Sequence, residues 1–303
     1  MIKAMGLFAK QILGFGGFKA TNLPRKVIPG LLTAFSALLE EKVVILKPVL
    51  KMVKRLGKGI LVIDDTSNPK YGLKRWSRKI KILHNSGYES GYKILLFMWE
   101  CNRGRFPIGF ALWHRESKRL NELVLDGLSL LRNRYAFQPE AVVADGAFST
   151  DKILQRLENY GWPVVMRIQR NRKLSGSSVK TLIARGYGEA KGFLKNGVKI
   201  KIFRRKSRFF GCNRMLWTMK KAIALYKRRW AIEETFRTLK TYVGLKGCQQ
   251  HSMRAQALYL FVTLTLFACL QIVSPLPVHF TLQTVIINPH QVENILQKAF
   301  FTM

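Results

Sequence analysis

"GILVIDD", residues 59–65, sets four consecutive aliphatic side chains ahead of a pair of aspartates. Ile60-Leu61-Val62-Ile63 shows neither helical nor two-fold spacing. Branched side chains in such a run suit a strand covered on both faces. The run stops at Asp64 and Asp65, so it reads as a buried strand that carries two carboxylates to its end. Carboxylates there project from the carboxyl edge of a sheet, where α/β proteins usually build their sites.

Ahead of this strand, residues 1–57 have apolar spacing of helical type, interrupted by Pro24, Pro29 and Pro48. They read as a short helical N-terminal region. Behind it, "YKILLFMWE" (92–100) and "FPIGFALWH" (106–114) read as strands joined by a hairpin turn at "CNRGR". "RLNELVLDGLSLLRNRY" (119–135) places Leu and Val at i, i+3, i+4 and reads as a helix. "EAVVADGAF" (140–148) is a second buried strand, ending at Asp145. "STDKILQRLENYG" (149–161) opens on a capping signature and stops at Gly161, and "WPVVMRI" (162–168) is a further strand. The order β-β-β-α-β-α-β predicts an α/β fold with a mixed sheet, its first part spanning 58–168. Residues 169–215 read as a basic, β-rich insertion with a hairpin about Asn196-Gly197. The second part of the core, 216–275, contains a long helix at 219–243 and an apolar helix at 255–273. Residues 276–303 form a tail.

Composition narrows the partner. Across 303 residues, 52 Lys and Arg stand against 17 Asp and Glu, a net charge of +35. Such an excess repels itself unless an anionic partner neutralises it, and phosphate contacts dominate nucleic-acid affinity. With 48% apolar residues the chain has enough material for a core. The four cysteines are scattered without a CxxC pair, which argues against a zinc site and suits a reducing compartment. "AQALYLFVTLTLFACLQIV" (255–273) is long enough to span a bilayer, but its Gln and Thr content and the absence of a second span favour a buried core helix.

The chemistry-bearing residues are acids in this basic chain. Asp commonly caps helices or forms turns. Carboxylates at two strand ends, however, also suit hard divalent ions held against phosphate. A third acid lies in "YKRRWAIEETFRTLK" (226–240). At about 100° per residue, Tyr226, Arg229, Arg237 and Lys240 all fall within about 40° of Glu233. Leu225, Ile232, Phe236, Leu239 and Val243 make a separate apolar stripe. One face therefore packs, and the other offers a carboxylate framed by phosphate donors. A solvated face with an i, i+4 Glu233–Arg237 pair is the plainer alternative.

The spacing Tyr226-x2-Arg229-x3-Glu233-x6-Lys240, with Trp230 and Ile232–Glu233–Glu234 around it, resembles the Tyr-Arg-Glu-Lys signature of the IS4-type DDE transposases. "VIDDTSNPKYG" and "VVADGAFS" resemble that family's two aspartate motifs, and the likeness covers roughly residues 59–260. The resemblance implies a ribonuclease-H-like core, which the element order suggests independently. It implies Asp65, Asp145 and Glu233 as the metal-binding catalytic triad, Asp65 being preferred to Asp64 because it directly precedes the Thr-Ser stretch. It implies Tyr226, Arg229 and Lys240, with Arg237 beside them, as contacts to DNA phosphates. Mg2+ is the implied cofactor, with Mn2+ as a substitute. The implied partners are double-stranded DNA, both transposon end and target, and a second copy in a synaptic dimer, with no membrane. The implied setting is the nucleoid of a prokaryotic cytoplasm. Trp230 is expected to pack. The competing expectations are a structure-specific nuclease of the same fold and a non-catalytic nucleic-acid binder.

Overall fold

A computed structural model describes residues 41–70, 75–81, 87–183, 188–248 and 252–273. Of the helical expectation for residues 1–57, residues 1–40 lie outside the described residues, as does the tail 276–303; within 41–57 Lys47–Arg55 is helical but Val44–Ile45 is a strand.

The strand read from "GILVIDD" is β2, Ile60–Pro69, and its first four side chains are fully buried. It pairs antiparallel with β4, Tyr88–Cys101, which turns at Asn102-Arg103 into β5, Gly104–Trp113. On its other side β2 pairs parallel with β6, Ala141–Ala144, and β6 pairs parallel with β7, Val164–Ile168. Short strands β1, Val44–Ile45, and β3, Arg78–Lys81, join β5 and β4. The sheet is therefore mixed, as the order of elements predicted.

Helices cover it where the pattern placed them. The first, α1, is Lys47–Arg55. Helix α2, Leu120–Ser129, runs on through a π turn, Leu130–Arg134. At Gly127 an added Cβ would lie 2.2 Å from the Phe97 ring, so glycine is what lets α2 approach β4. Helix α3, Asp151–Asn159, starts at Thr150, whose hydroxyl accepts from the Ile153 amide, and ends at Gly161 with φ +67°.

Residues 169–215 do not form a separate layer. After the short pair β8, Lys173–Leu174, and β9, Ser177–Ser178, and the turn α4, Val179–Leu182, come β10, Gly188–Phe193, β11, Lys199–Arg205, and β12, Arg208–Cys212. The β10–β11 hairpin turns at Asn196-Gly197, Gly197 having φ +81°. β12 pairs antiparallel with β7, Phe210 opposite Arg167, so these strands extend the central sheet in the order β1-β5-β4-β2-β6-β7-β12-β11-β10.

The long helix expected at 219–243 is two helices, α5, Met219–Lys227, and α6, Trp230–Thr241. The amides of Arg228, Arg229, Ala231 and Ile232 bond to carbonyls three residues back, a tightened turn between them. Helix α7, Met253–Val273, is long and apolar enough to cross a membrane, yet 94% of its most apolar window is buried within the protein. It packs on β5 and α1.

Candidate active site

β2 does not end at its aspartates. It continues to Pro69 because β4 keeps pairing with it after β6 has stopped. The last parallel pair is Ile63 with Ala144, and the next residues are Asp64 on one strand and Asp145 on the other. Asp145 stands in extended backbone geometry just ahead of a short 3-10 turn, Gly146–Phe148, without a capping bond from its side chain. The break between β2 and β6 therefore sets two carboxyl-bearing residues side by side.

In a strand, successive side chains point to opposite faces. Asp64 faces α6. Its Oδ2 accepts from Arg229 Nη1 at 2.6 Å, and Arg229 Nη2 donates to Glu233 Oε1, one helical turn on. Two residues along the same face, Thr66 Oγ1 accepts from Lys240 Nζ. Asp65 faces the other way, where its Oδ2 meets Lys93 Nζ at 2.9 Å. The pleat thus brings Asp64, rather than the expected Asp65, to Arg229 and Glu233. A position inside a continuous strand, unlike one at a free end, leaves Asp65 no way round to that face.

Burial pushes the Asp64 carboxyl up to about 7; Arg229 and the Asp65 amide oppose the shift, and the Asp65 and Asp145 charges reinforce it. Burial also opposes the charge on Arg229, but Asp64, Tyr226 and Glu233 outweigh it and hold the guanidinium more firmly protonated than usual. Lys240 is pushed down by burial and by Lys246 nearby. Among the described residues, no three His, Cys, Asp or Glu side chains are gathered closely enough to hold a metal ion. Arg229 instead bridges Asp64 and Glu233.

Asp145 and Arg229 form one wall of a cleft of about 910 Å3. Its other walls are Arg167 of β7, the β11–β12 turn and the α5–α6 joint. The turn at Lys206-Ser207, with Lys206 at φ +55°, brings Arg205, Lys206 and Arg208 to the cleft. The segment "FRRKSRFF" signalled basic strands, but only the pairing of β12 with β7 aims its turn at Asp145. Tyr226 lines the cleft against Phe210, ring centroids 4.9 Å apart. Trp230 was expected to pack; it is 52% exposed and lines the same cleft, because the joint turns it out of the α6 core face. Arg237 is exposed on α6. The structure thus joins Asp64 and Glu233 through Arg229, sets the separate Lys240–Thr66 pair on the same face of β2, and places Asp145 and Tyr226 with Arg229 in the lining of the cleft.

A mixed sheet with flanking helices is the fold of the ribonuclease-H-like transposases. Among solved structures, the chain is similar to one described as the cryo-EM structure of piggyBac transposase synaptic complex with hairpin DNA. The TM-score is 0.56 at 11% identity, over 99% of this chain and 70% of that one, a likeness of fold. The model of the family described as "Transposase DDE domain" matches residues 55–268, and the chain belongs to that family. It is a DDE-type DNA transposase, an enzyme of a family that generally uses divalent metal ions. No curated protein matches the sequence.

Proposed function

We propose that the chain is an IS4-type transposase that cleaves double-stranded DNA at transposon ends and joins the freed 3′-hydroxyl to target DNA. The reading takes Asp64, Asp145 and Glu233 as the catalytic acids. The observation that carries it is the guanidinium fork of Arg229 between Asp64 and Glu233, at the wall of a cleft lined with further cations. Carboxylate oxygens suit a hard divalent ion, so by donor type Asp64, Asp145 and Glu233 would hold Mg2+ or Mn2+ once Arg229, which now bridges two of them, has moved aside. When bound, such ions supply the Lewis acidity that activates an attacking oxygen and stabilises the leaving one.

The chain's own residues do the rest. Arg229 and Lys240 orient the scissile phosphate, the first as a fork and the second as a point charge. Arg167, Arg205 and Arg208 neutralise the flanking phosphates. Tyr226 and the exposed Trp230 offer aromatic surface to the sugar-phosphate chain or an unstacked base. Cleavage and joining are both attacks of an oxygen on a phosphodiester, so one site serves both. Two ends brought together call for a dimer.

The test looks for short inverted repeats beside the gene and incubates a plasmid carrying those flanks with purified protein and Mg2+. Excised and joined products that vanish with Asp145→Ala support the reading. Cleavage without joined product would make the protein a nuclease, and cleavage surviving Asp145→Ala would remove the acids from the mechanism.

A further inference from the structure

We propose that Arg229 couples divalent-cation binding to DNA binding by serving both sites in turn. In the DNA-free protein its guanidinium fills the space between Asp64 and Glu233 that a cation needs; a phosphate entering the cleft draws it out. This rests on the reading of Asp64, Asp145 and Glu233 as the metal-holding acids.

Three observations support it. One fork spans both carboxylates, Nη1 to Asp64 at 2.6 Å and Nη2 to Glu233, and the side chain is only 15% exposed. Water therefore screens the bridge poorly, and an entering cation must displace it rather than share it. The third donor, Nε, is buried without a hydrogen-bond partner. A buried orphan donor is unusual and costly, so this seat leaves Arg229 incompletely satisfied. Finally, the same side chain walls the cleft, where Arg167, Arg205 and Arg208 would gather phosphates. A phosphate offers acceptors to the whole fork, Nε included. Arg229 needs only to rotate about its own bonds to reach one, leaving Glu233 on α6 in place.

The consequence is order. Metal enters readily only when DNA has taken Arg229, so the enzyme is not armed away from its substrate. By linkage, the cation raises DNA affinity by the same factor by which DNA raises cation affinity.

The experiment measures Mn2+ binding to the full chain from the loss of the free-ion electron paramagnetic resonance signal, with a duplex-only control. Arg229→Gln should bind Mn2+ roughly tenfold or more tightly than wild type without DNA, the scale of a charge-assisted hydrogen bond. Arg229→Lys keeps the charge but cannot span both acids, so it should also bind more tightly than wild type, which a simple loss of positive field does not explain. Adding duplex should raise Mn2+ affinity for wild type and leave Arg229→Gln nearly unchanged. Thermal melts by circular dichroism identify any variant that has lost its fold, and the two substitutions make independent tests. If Asp64→Asn and Glu233→Gln leave Mn2+ binding intact, the metal reading falls and the coupling with it. If those variants abolish binding while neither Arg229 variant binds more tightly than wild type, the coupling alone is overturned.

Discussion

Exchanging each of the paired aspartates for asparagine should separate chemistry from packing. Asp64 is 16% exposed and shares Arg229 with Glu233, while Asp65 is 13% exposed and pairs with Lys93 across the sheet. Asp64→Asn keeps the size of the side chain and removes the charge that a divalent cation needs. A metal's transition-state stabilisation is worth several kcal/mol, so its loss should lower end cleavage by about a thousandfold or more. The same substitution should not weaken the fold at pH 8. The carboxyl's folded pKa of about 7 lies above its ordinary 3.8, so the native state prefers the protonated form. Stability from this group is therefore present at low pH and lost as pH rises from about 4 through 7. At pH 8 the ionised Asp64 is a burden that Asn relieves, and the melting temperature should stay level or rise. Asp65→Asn behaves in the opposite way. It severs one partly buried ion pair, whose Lys93 also lies 5.8 Å from the Trp113 ring and keeps some solvent contact. The cost should be about 1 kcal/mol, a fall of roughly 2–4 °C, with cleavage within about threefold of wild type. Gel-resolved cleavage of labelled transposon ends and calorimetric melting read both quantities. An inactive Asp65→Asn beside an active Asp64→Asn would refute the assignment of faces.

Other consequences follow from the same geometry. Cation affinity of the DNA-free protein should rise as pH increases from about 6 to about 8 and then level, because Asp64 must lose its proton to bind; Mn2+ titration across that range checks it. Arg205→Ala and Arg208→Ala should each reduce the slope of log affinity against log salt by about 0.9 in fluorescence anisotropy, whatever the DNA sequence, if both reach phosphates from the cleft. Gly127→Ala would set a methyl 2.2 Å from the Phe97 ring, and should lower the melting temperature by roughly 2–10 °C through about 1–3 kcal/mol of overpacking. An unchanged melt would show that α2 can shift without loss.

The strand and helix order was legible because apolar runs and caps are local signals, from Ile60–Ile63 to Thr150 and Gly161. The side on which each aspartate lies was not. Acids look like strand ends, and nothing near Asp64 records that β4 continues beside it while β6 stops. Glu233 and Arg229 were legible as neighbours because four residues make one turn, and that contact survives the joint between α5 and α6. The joint itself has no Gly or Pro to announce it, so Trp230 was assigned inward. The Asn196-Gly197 hairpin was legible, but its docking was not, since Phe210 opposite Arg167 is a register set across more than forty residues.

Where the cation sits decides most. Anomalous diffraction from crystals of the protein with a transposon-end duplex and Mn2+ locates it directly. The account predicts a peak contacted by carboxylate oxygens of Asp64 and Asp145, with Glu233 completing the set and Arg229 turned to a phosphate. A peak on Asp65, or one that touches none of these acids, would contradict it.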